Sequence, residues 1–261
     1  MRRISKRLDE LLVDRGLADN LELAKALILA GRVFGSGSRI DKPGTLVSAE
    51  INLRIKMGDR YVGRGGIKLE HVLHQIDLEK GNVALDIGAS TGGFTDCLLQ
   101  DGFQRVYSVD VGRGQLANKL VNDSRVIVME NINAKTIFWL PESVDLITID
   151  VSFISVKKIL NEVAGHLVKD GTILALIKPQ FEARKEQVER GGIIRDPKVH
   201  ARIVGDFCIW AIQNRWRVKG VVKSPVKGHA GNCEFFVVCL LYTSAAADER
   251  SSVDLGGRRI I

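Results

Sequence analysis

The sequence predicts an α/β protein: a mostly parallel, doubly wound sheet flanked by helices, preceded by a small α+β module. Three observations carry this expectation. From Asn82 onward, apolar strand-length runs alternate with segments of helical period, the rhythm of a parallel sheet with helices on both faces. Residues 1–60 have another texture, two short amphipathic stretches followed by short alternating runs. The 261 residues suffice for one small and one medium domain.

In order, Leu8, Leu11 and Leu12 predict a helix over 7–15. Leu23, Ala26, Leu27 and Ala30 predict another over 21–30, with Gly16 and Gly31 as C-caps. Val33–Phe34, a Gly-Ser-Gly turn, the Lys42-Pro43-Gly44 turn and the alternating run 51–55 complete a module ending near Arg60. Residues 61–66 are Gly-rich and read as a linker. An amphipathic helix follows over 67–80, through Ile67, Leu69, Val72, Leu73 and Ile76. Within a second domain, 67–242, strands are expected at 83–87, 105–109, 126–129, 144–149, 172–178, 217–223 and 234–241. Helices are expected at 93–101, 114–121, 155–168 and 198–213. Residues 243–261 are polar, small and without period, so no order is expected there.

Composition narrows the function classes. Hydrophobic residues make up 45% and charged residues 26%, a globular balance. No stretch approaches 18 apolar residues, so no transmembrane helix is expected. The basic start, MRRISKRLDELLV, has no apolar core of a signal peptide, which points to the cytoplasm. Cys97, Cys208, Cys233 and Cys239 form no C-x-x-C pair and read as free, buried thiols in a reducing compartment. The net charge of +7, with 12 Lys/Arg against 8 Asp/Glu in residues 1–60, suits a polyanionic partner and equally a plain basic surface.

The strongest local signal is Val83-Ala84-Leu85-Asp86-Ile87-Gly88-Ala89-Ser90-Thr91-Gly92-Gly93-Phe94-Thr95, an apolar strand entering a Gly-rich turn and then a helix. Glycines let a ligand approach the backbone, and the helix start offers free N–H groups. Asp86 could fix the loop or meet a ligand cation. Asp110 closes the next strand, 22 residues after Gly88, where an acid can accept both hydroxyls of a ribose. The pattern indicates a nucleoside-bearing cofactor. Two rivals fit the same loop. A dinucleotide oxidoreductase would need G-x-G-x-x-G, and the turn is G-A-S-T-G-G. A hydrolase could use Gly88-Ala89-Ser90-Thr91-Gly92 as G-x-S-x-G with Asp150 and His229, but the elbow would sit on the first strand of its sheet.

Further strands end in charged residues. Val144–Ile149 runs into Asp150, Leu174–Ile177 into Lys178, and Glu234 stands at the entry to Phe235–Val238. The first two ends share a rim with the Gly-rich loop in a parallel sheet.

With these segments in view, the sequence resembles the TlyA family, also called hemolysins and understood as rRNA 2′-O-ribose methyltransferases. The likeness runs from about Lys6 to Leu241 through RLDELLVDRG, AKALILAGRV, YVGRGGIKLE, ALDIGASTGGFTDCLLQ, VDVGRGQL, TIDVSFIS, LIKPQFE, GGIIRD and GNCEFF. It implies a Rossmann-like, S-adenosylmethionine-dependent methyltransferase domain of the FtsJ-like kind behind an S4-like RNA-binding domain, with ribosomal RNA or ribosomal subunits as partner. The FtsJ-like tetrad would be Lys68, Asp150, Lys178 and Glu234. S-adenosyl-L-methionine would be held by Asp86, Gly88, Ser90, Gly92, Gly93, Phe94 and Asp150, with Asp110 on the ribose and Asn131 and Asn133 flanking the adenine. RNA contacts would fall to Arg7, Lys25, Arg32 and Arg64. Two positions depart from the family pattern. Gly35-Ser36-Gly37 replaces an Asn-Gly, and Gly63 replaces a serine.

The chemistry fits such a tetrad. A ribose hydroxyl is a poor nucleophile at neutral pH, while a sulfonium already carries a good leaving group, so no metal is required. The protein must align the oxygen and relieve it of its proton. Lys178 is the expected base or oxygen-orienting group, positioned by Asp150, with Lys68 and Glu234 completing the charge network. His71 and His74, three apart on one helix, are expected to be structural rather than metal ligands. Trp210 and Trp216 are expected in packing, and His229 near the substrate entrance. The two other functional classes are a membrane-lytic protein and a non-catalytic RNA-binding assembly factor.

Overall fold

The computed structural model describes residues 5–56, 60–78, 81–189, 191–228 and 231–241, so the expectations for His229 and for 243–261 lie outside the described residues. The chain divides into two compact units at Arg60/Tyr61.

The first unit is α+β. Strand β1 (Ser5–Arg7) precedes helices α1 (Leu8–Asp14) and α2 (Leu21–Leu29); strands β2 (Val33–Gly35), β3 (Ser38–Arg39), β4 (Leu46–Ser48) and β5 (Leu53–Ile55) follow. They form a two-stranded sheet, β1-β4, and a three-stranded one, β3-β2-β5. The Asn20 side chain caps α2 by accepting from Leu23 N–H. Leu8, Leu12, Ala24, Ile28 and Val33 form its core. Strands β1, β3 and β4 are too short to register as alternation in the sequence.

The second unit opens with α3 (Arg64–Leu73), then β6 (Val83–Ile87), α4 (Gly93–Asp101), β7 (Arg105–Val109), α5 (Asn118–Val121), β8 (Val126–Met129) and β9 (Val144–Ile149). Next come α6 (Lys157–Val163), β10 (Leu167–Ile177), α7 (Pro179–Glu182), α8 (Pro197–Gln213), β11 (Trp216–Lys223) and β12 (Phe235–Leu241). The seven-stranded sheet has the order β11-β12-β10-β9-β6-β7-β8. All pairs through β10-β9-β6-β7-β8 are parallel, whereas β12 runs antiparallel to both β10 and β11. The chain leaves β6 in one direction for β7 and β8, then crosses back to β9 on its other side. The crevice at that reversal is where a doubly wound sheet binds its ligand. Leu85, Ile87, Ile147, Ile149, Ile173 and Phe207 form the core beneath one face, and Leu69, Leu98, Leu174 and Phe236 beneath the other.

Several boundaries differ from expectation. Residues 61–66 are not a free tether: Tyr61 is buried and α3 begins at Arg64. Gly66 packs so closely on Tyr61 that an added Cβ would stand 2.1 Å from its ring. The expected helix over 114–121 shrinks to α5, because Gly112 and Gly114 spend their N–H groups on Asp110 and Glu130. Trp216 is core, with Nε1 donating to Asn161. All four cysteines are free thiols; Cys97 and Cys239 are buried and the other two half-buried. His71 meets Gln75 at 2.8 Å, and no metal-ligating cluster occurs among the described residues.

Candidate active site

The crevice above β6 and β9 is a cleft of ≈ 630 Å³. Four of its walls come from different elements. The loop after β6 contributes Gly88, Ser90, Gly93 and Phe94; the start of α3 contributes Arg64, Gly65 and Lys68. The ends of β9 and β10 contribute Asp150 and Lys178, and the entry to β12 contributes Glu234. A hollow of ≈ 710 Å³ at the opposite rim, around Asp145, Lys169 and Lys219, holds none of the expected site residues.

The loop is shaped by backbone conformation. Gly88 has φ +83°, and a Cβ there would lie 2.4 Å from the Asp150 carbonyl oxygen. Only glycine lets the end of β6 pass so close to the end of β9. The N–H groups of Gly88 and Ala89 both donate to Val109 O, hooking the loop onto β7. Ser90 sits at φ +48°, its N–H bound by Asp110 Oδ2 at 2.8 Å. A nucleophile elbow also has a strained serine, but Asp150, its nominated partner in that reading, is engaged with a lysine.

The four charged residues meet in two ion pairs. Lys178 Nζ lies 2.6 Å from Asp150 Oδ1 and donates to Ser152 Oγ at 2.9 Å. Lys68 Nζ donates to Glu234 Oε2 at 2.6 Å. Lys68, Lys178 and Glu234 are each at most 9% exposed, so their charges depend on each other rather than on water. Asp150 Oδ1 receives no aligned hydrogen bond despite its short approach to Lys178; the contact is coulombic. Glu234 reaches this rim because β12 is reversed. Ile177 pairs with Phe235, so the start of β12 lies beside the end of β10.

Asp86, expected in the cofactor set, is not among the residues that line the cleft. It is fully buried beneath the loop, where Thr95 Oγ1 donates to Oδ2 at 2.7 Å and Thr148 Oγ1 to Oδ1 at 3.0 Å. Burial pushes its carboxyl up to about 6. It ties α4 to β9. Four more expected residues do not line the cleft. Gly92 caps α4 and packs on Leu116 and Leu120. Asp110 binds the N–H groups of Ser90 and Gly112. Asn131, at φ +57°, and Asn133, which accepts from Lys135 N–H, shape the loop after β8.

Other wall residues were passed over in the sequence. Phe153 has φ +65° and is 91% exposed, its ring 5.1 Å from Phe181. Ser152 and Phe153 stand in TIDVSFIS and Phe181 in LIKPQFE, segments whose sequence signal lies in the charged residue. Asn232, also in the wall, is 1% exposed. Glu182 joins the two segments, accepting from Ser155 Oγ at 2.6 Å and Val156 N–H at 2.7 Å; burial raises its carboxyl above the ordinary range.

Of the expected RNA contacts, Arg64 is exposed and lines the cleft. Arg7, Lys25 and Arg32 are exposed in the first unit, where Arg7 holds the buried Asp9 carboxylate through two nitrogens, at 2.7 and 3.1 Å.

Comparison with known proteins agrees with this architecture. Residues 61–241 match the family described as FtsJ-like methyltransferase. The Bacillus subtilis protein YqxC, named as an rRNA methyltransferase, is 45% identical over 237 residues, 89% of this chain and 84% of that one. The Mycobacterium tuberculosis protein named 16S/23S rRNA (cytidine-2′-O)-methyltransferase TlyA is 40% identical over 261 residues, 97% of each chain. A solved Streptococcus thermophilus structure, named as a hemolysin, is 39% identical with a TM-score of 0.68, covering 93% of this chain and 90% of its own.

Proposed function

Because the chain belongs to the FtsJ-like methyltransferase family, we propose that it transfers a methyl group from S-adenosyl-L-methionine to a ribose 2′-hydroxyl of ribosomal RNA. The observation that carries this reading is the meeting of two ion pairs, the half-buried Lys178–Asp150 and the buried Lys68–Glu234, in one cleft with the glycine loop. The relatives named for cytidine 2′-O-methylation in 16S and 23S rRNA make a cytidine ribose the preferred acceptor.

The residues present fit the cofactor. A cleft of ≈ 630 Å³ lies within the range for ligands of that size, about 300–1,000 Å³. The glycine loop keeps the backbone of Gly88 and Gly93 open to it, and the Asp150 carboxylate offers a negative charge for a sulfonium. Ser90 and Phe94 complete the cradle, and Asp110 would exchange its backbone partners for ribose hydroxyls. Bound there, S-adenosyl-L-methionine supplies an electrophilic methyl group with a neutral thioether as leaving group.

The chain's own task is to place an oxygen and accept a proton. Lys178, at the end of a rigid central strand, is oriented by Ser152 and Asp150. Entering the step as the neutral amine, after the ion pair has released a proton to solvent, its Nζ directs the acceptor hydroxyl and takes up that hydroxyl's proton as the oxygen–carbon bond would form and the carbon–sulfur bond break; Asp150 stabilises the resulting ammonium. Lys68 and Glu234 neutralise each other at the facing wall and fix where the acceptor backbone can enter. The exposed Phe153–Phe181 pair offers an apolar face for a base lifted from its stack. The first unit serves as an S4-like RNA-binding domain, with Arg7, Lys25 and Arg32, and Arg64 in the second unit, contacting phosphates. Such an enzyme works in the cytoplasm, where ribosomes are assembled.

The test is transfer of radiolabelled methyl to ribosomal subunits, with the product mapped as a 2′-O-methyl ribose. Label found on a base, or no transfer by wild-type protein, rules out the assignment.

A further inference from the structure

The Gly191–Asp196 segment, GGIIRD, takes no part in the chemistry above, yet its fastening is unusually complete. It belongs to a strap, described over residues 183–189 and 191–196, that leaves α7 and leads to α8, supplying Val188, Gly191 and Gly192 to the cleft wall. Gly191 and Gly192 have φ +91° and +76°, and a Cβ on either would meet no atom within 4 Å. Glycine is needed there for the turn and not for internal packing. Immediately beyond, Ile194 is buried and both its backbone polar groups are held by buried side chains. Its N–H donates to Asn232 Oδ1 at 2.9 Å, and its carbonyl accepts from His200 Nε2 at 2.9 Å, which places the ring hydrogen on Nε2. Asn232 also donates from Nδ2 to Gly192 O at 2.8 Å. Asn232 stands two residues before Glu234, and the His200 ring lies 5.7 Å from that of Phe235. The strap is thus tied to the strand entry that carries a member of the charged cluster.

We propose that Asn232, seconded by His200, is a positioning residue that fastens this strap as the acceptor-side wall of the cleft, so that RNA meets a preformed slot. The assignment of the acceptor rests on the methyltransferase reading. Sheet order decides the side. The strap follows β10 and is pinned at the entry to β12, whereas the glycine loop follows β6, two strands away from β10. Loosening the strap should therefore disturb RNA engagement and leave the cofactor cradle intact.

The experiment compares wild-type protein, Asn232→Ala and Gly192→Ala in three measurements on the full chain. Hydrogen exchange is followed by mass spectrometry. Binding of S-adenosylhomocysteine is measured by calorimetry, and methyl transfer to purified ribosomal subunits is resolved into KM and kcat. Asn232→Ala is expected to speed exchange in peptides covering 184–196, to keep cofactor-product affinity within about twofold, and to raise KM for RNA about tenfold with a smaller change in kcat. Gly192→Ala strains the exposed strap without touching the core, and should give the same KM-weighted loss if Asn232→Ala fails to fold. His200→Gln, which keeps an N–H donor, should lose less than His200→Ala. Unchanged exchange in the strap, an equal loss of S-adenosylhomocysteine affinity, or a fall in kcat with KM for RNA unmoved would each overturn the proposal. Absence of transfer by the wild type would overturn the functional reading and its acceptor assignment, while exchange would still decide the fastening.

Discussion

Asp150 Oδ1 and Lys178 Nζ stand 2.6 Å apart at the ends of adjacent parallel strands, held by charge and not by an aligned hydrogen bond. Ser152 takes the aligned one, at 2.9 Å. The lysine therefore has a fixed seat and a charge partner that leaves its remaining N–H directions to the cleft. Lys178→Ala and Asp150→Ala are expected to lower methyl transfer about 10²–10⁴-fold, the usual scale for removing a positioned proton acceptor or its orienting partner. Affinity of the Lys178→Ala variant for S-adenosylhomocysteine should change little. Undiminished transfer in either variant would falsify the assignment.

The Lys68–Glu234 pair is buried, so its two halves should be far more costly to remove singly than together. Lys68→Met or Glu234→Leu alone leaves an unpaired charge at a dry wall and should destabilise by about 3–5 kcal/mol. The double variant Lys68→Met/Glu234→Leu should recover much of that stability while remaining inactive. Urea unfolding of the three variants checks it; additive losses would mean that the pair is not coupled.

Asp86 gives a pH signature. Its folded-state pKa is raised to about 6 from the ordinary 3.8, chiefly by burial. Below 3.8 the carboxyl is protonated in both states. Between there and about 6 the folded state holds a proton that the unfolded state has released, so stability falls as pH rises through this window. Beyond it, the cost of a buried charge stays in full, about 3 kcal/mol by linkage. Asp86→Asn keeps an acceptor for a threonine hydroxyl and cannot ionise. The difference in stability, variant minus wild type, should grow from pH 4 to pH 6 and then level off. A thermal-unfolding series in which that difference is flat across the window removes the argument.

Phe153 holds a left-handed backbone conformation, φ +65°, with its ring in solvent. Neither feature stabilises the free protein. Phe153→Gly should relieve roughly 1 kcal/mol of backbone strain and raise Tm. It should also weaken transfer to RNA, since the aromatic face is lost. A variant less stable than wild type, or one fully active, shows that the strained aromatic serves another purpose.

The exposed cations of the first unit should act through charge. Lys25→Ala with Arg32→Ala is expected to weaken RNA binding at low salt and to reduce the slope of log K against log salt by about 2. Filter binding across a salt series measures it, and an unchanged slope shows that this face does not meet phosphates.

Much of this was legible in the sequence. Strands β6, β7, β8 and β9 and helix α4 stand where the apolar runs predict, because a fully buried parallel strand writes itself as an uninterrupted apolar stretch. Short elements were not legible: β1, β3, β4 and α7 are two to four residues long and rely on partners that local period cannot reveal. The four charged positions could be nominated one by one from strand ends and from family likeness.

The sequence alone determined the sheet-and-helix alternation, the glycine loop and the residue types capable of proton and charge chemistry, since these depend on local period and side-chain identity. Tertiary structure decided which of them meet. The reversal of β12 swings Glu234 to the rim where Lys68 waits, 166 positions earlier. Burial sets Asp86 as a buttress between α4 and β9. The fold also brings Asn232 and His200 to the two sides of Ile194. The reason is physical: a strand's direction within a sheet and the drying of a carboxylate both follow from distant packing partners, and no window of neighbouring residues contains them.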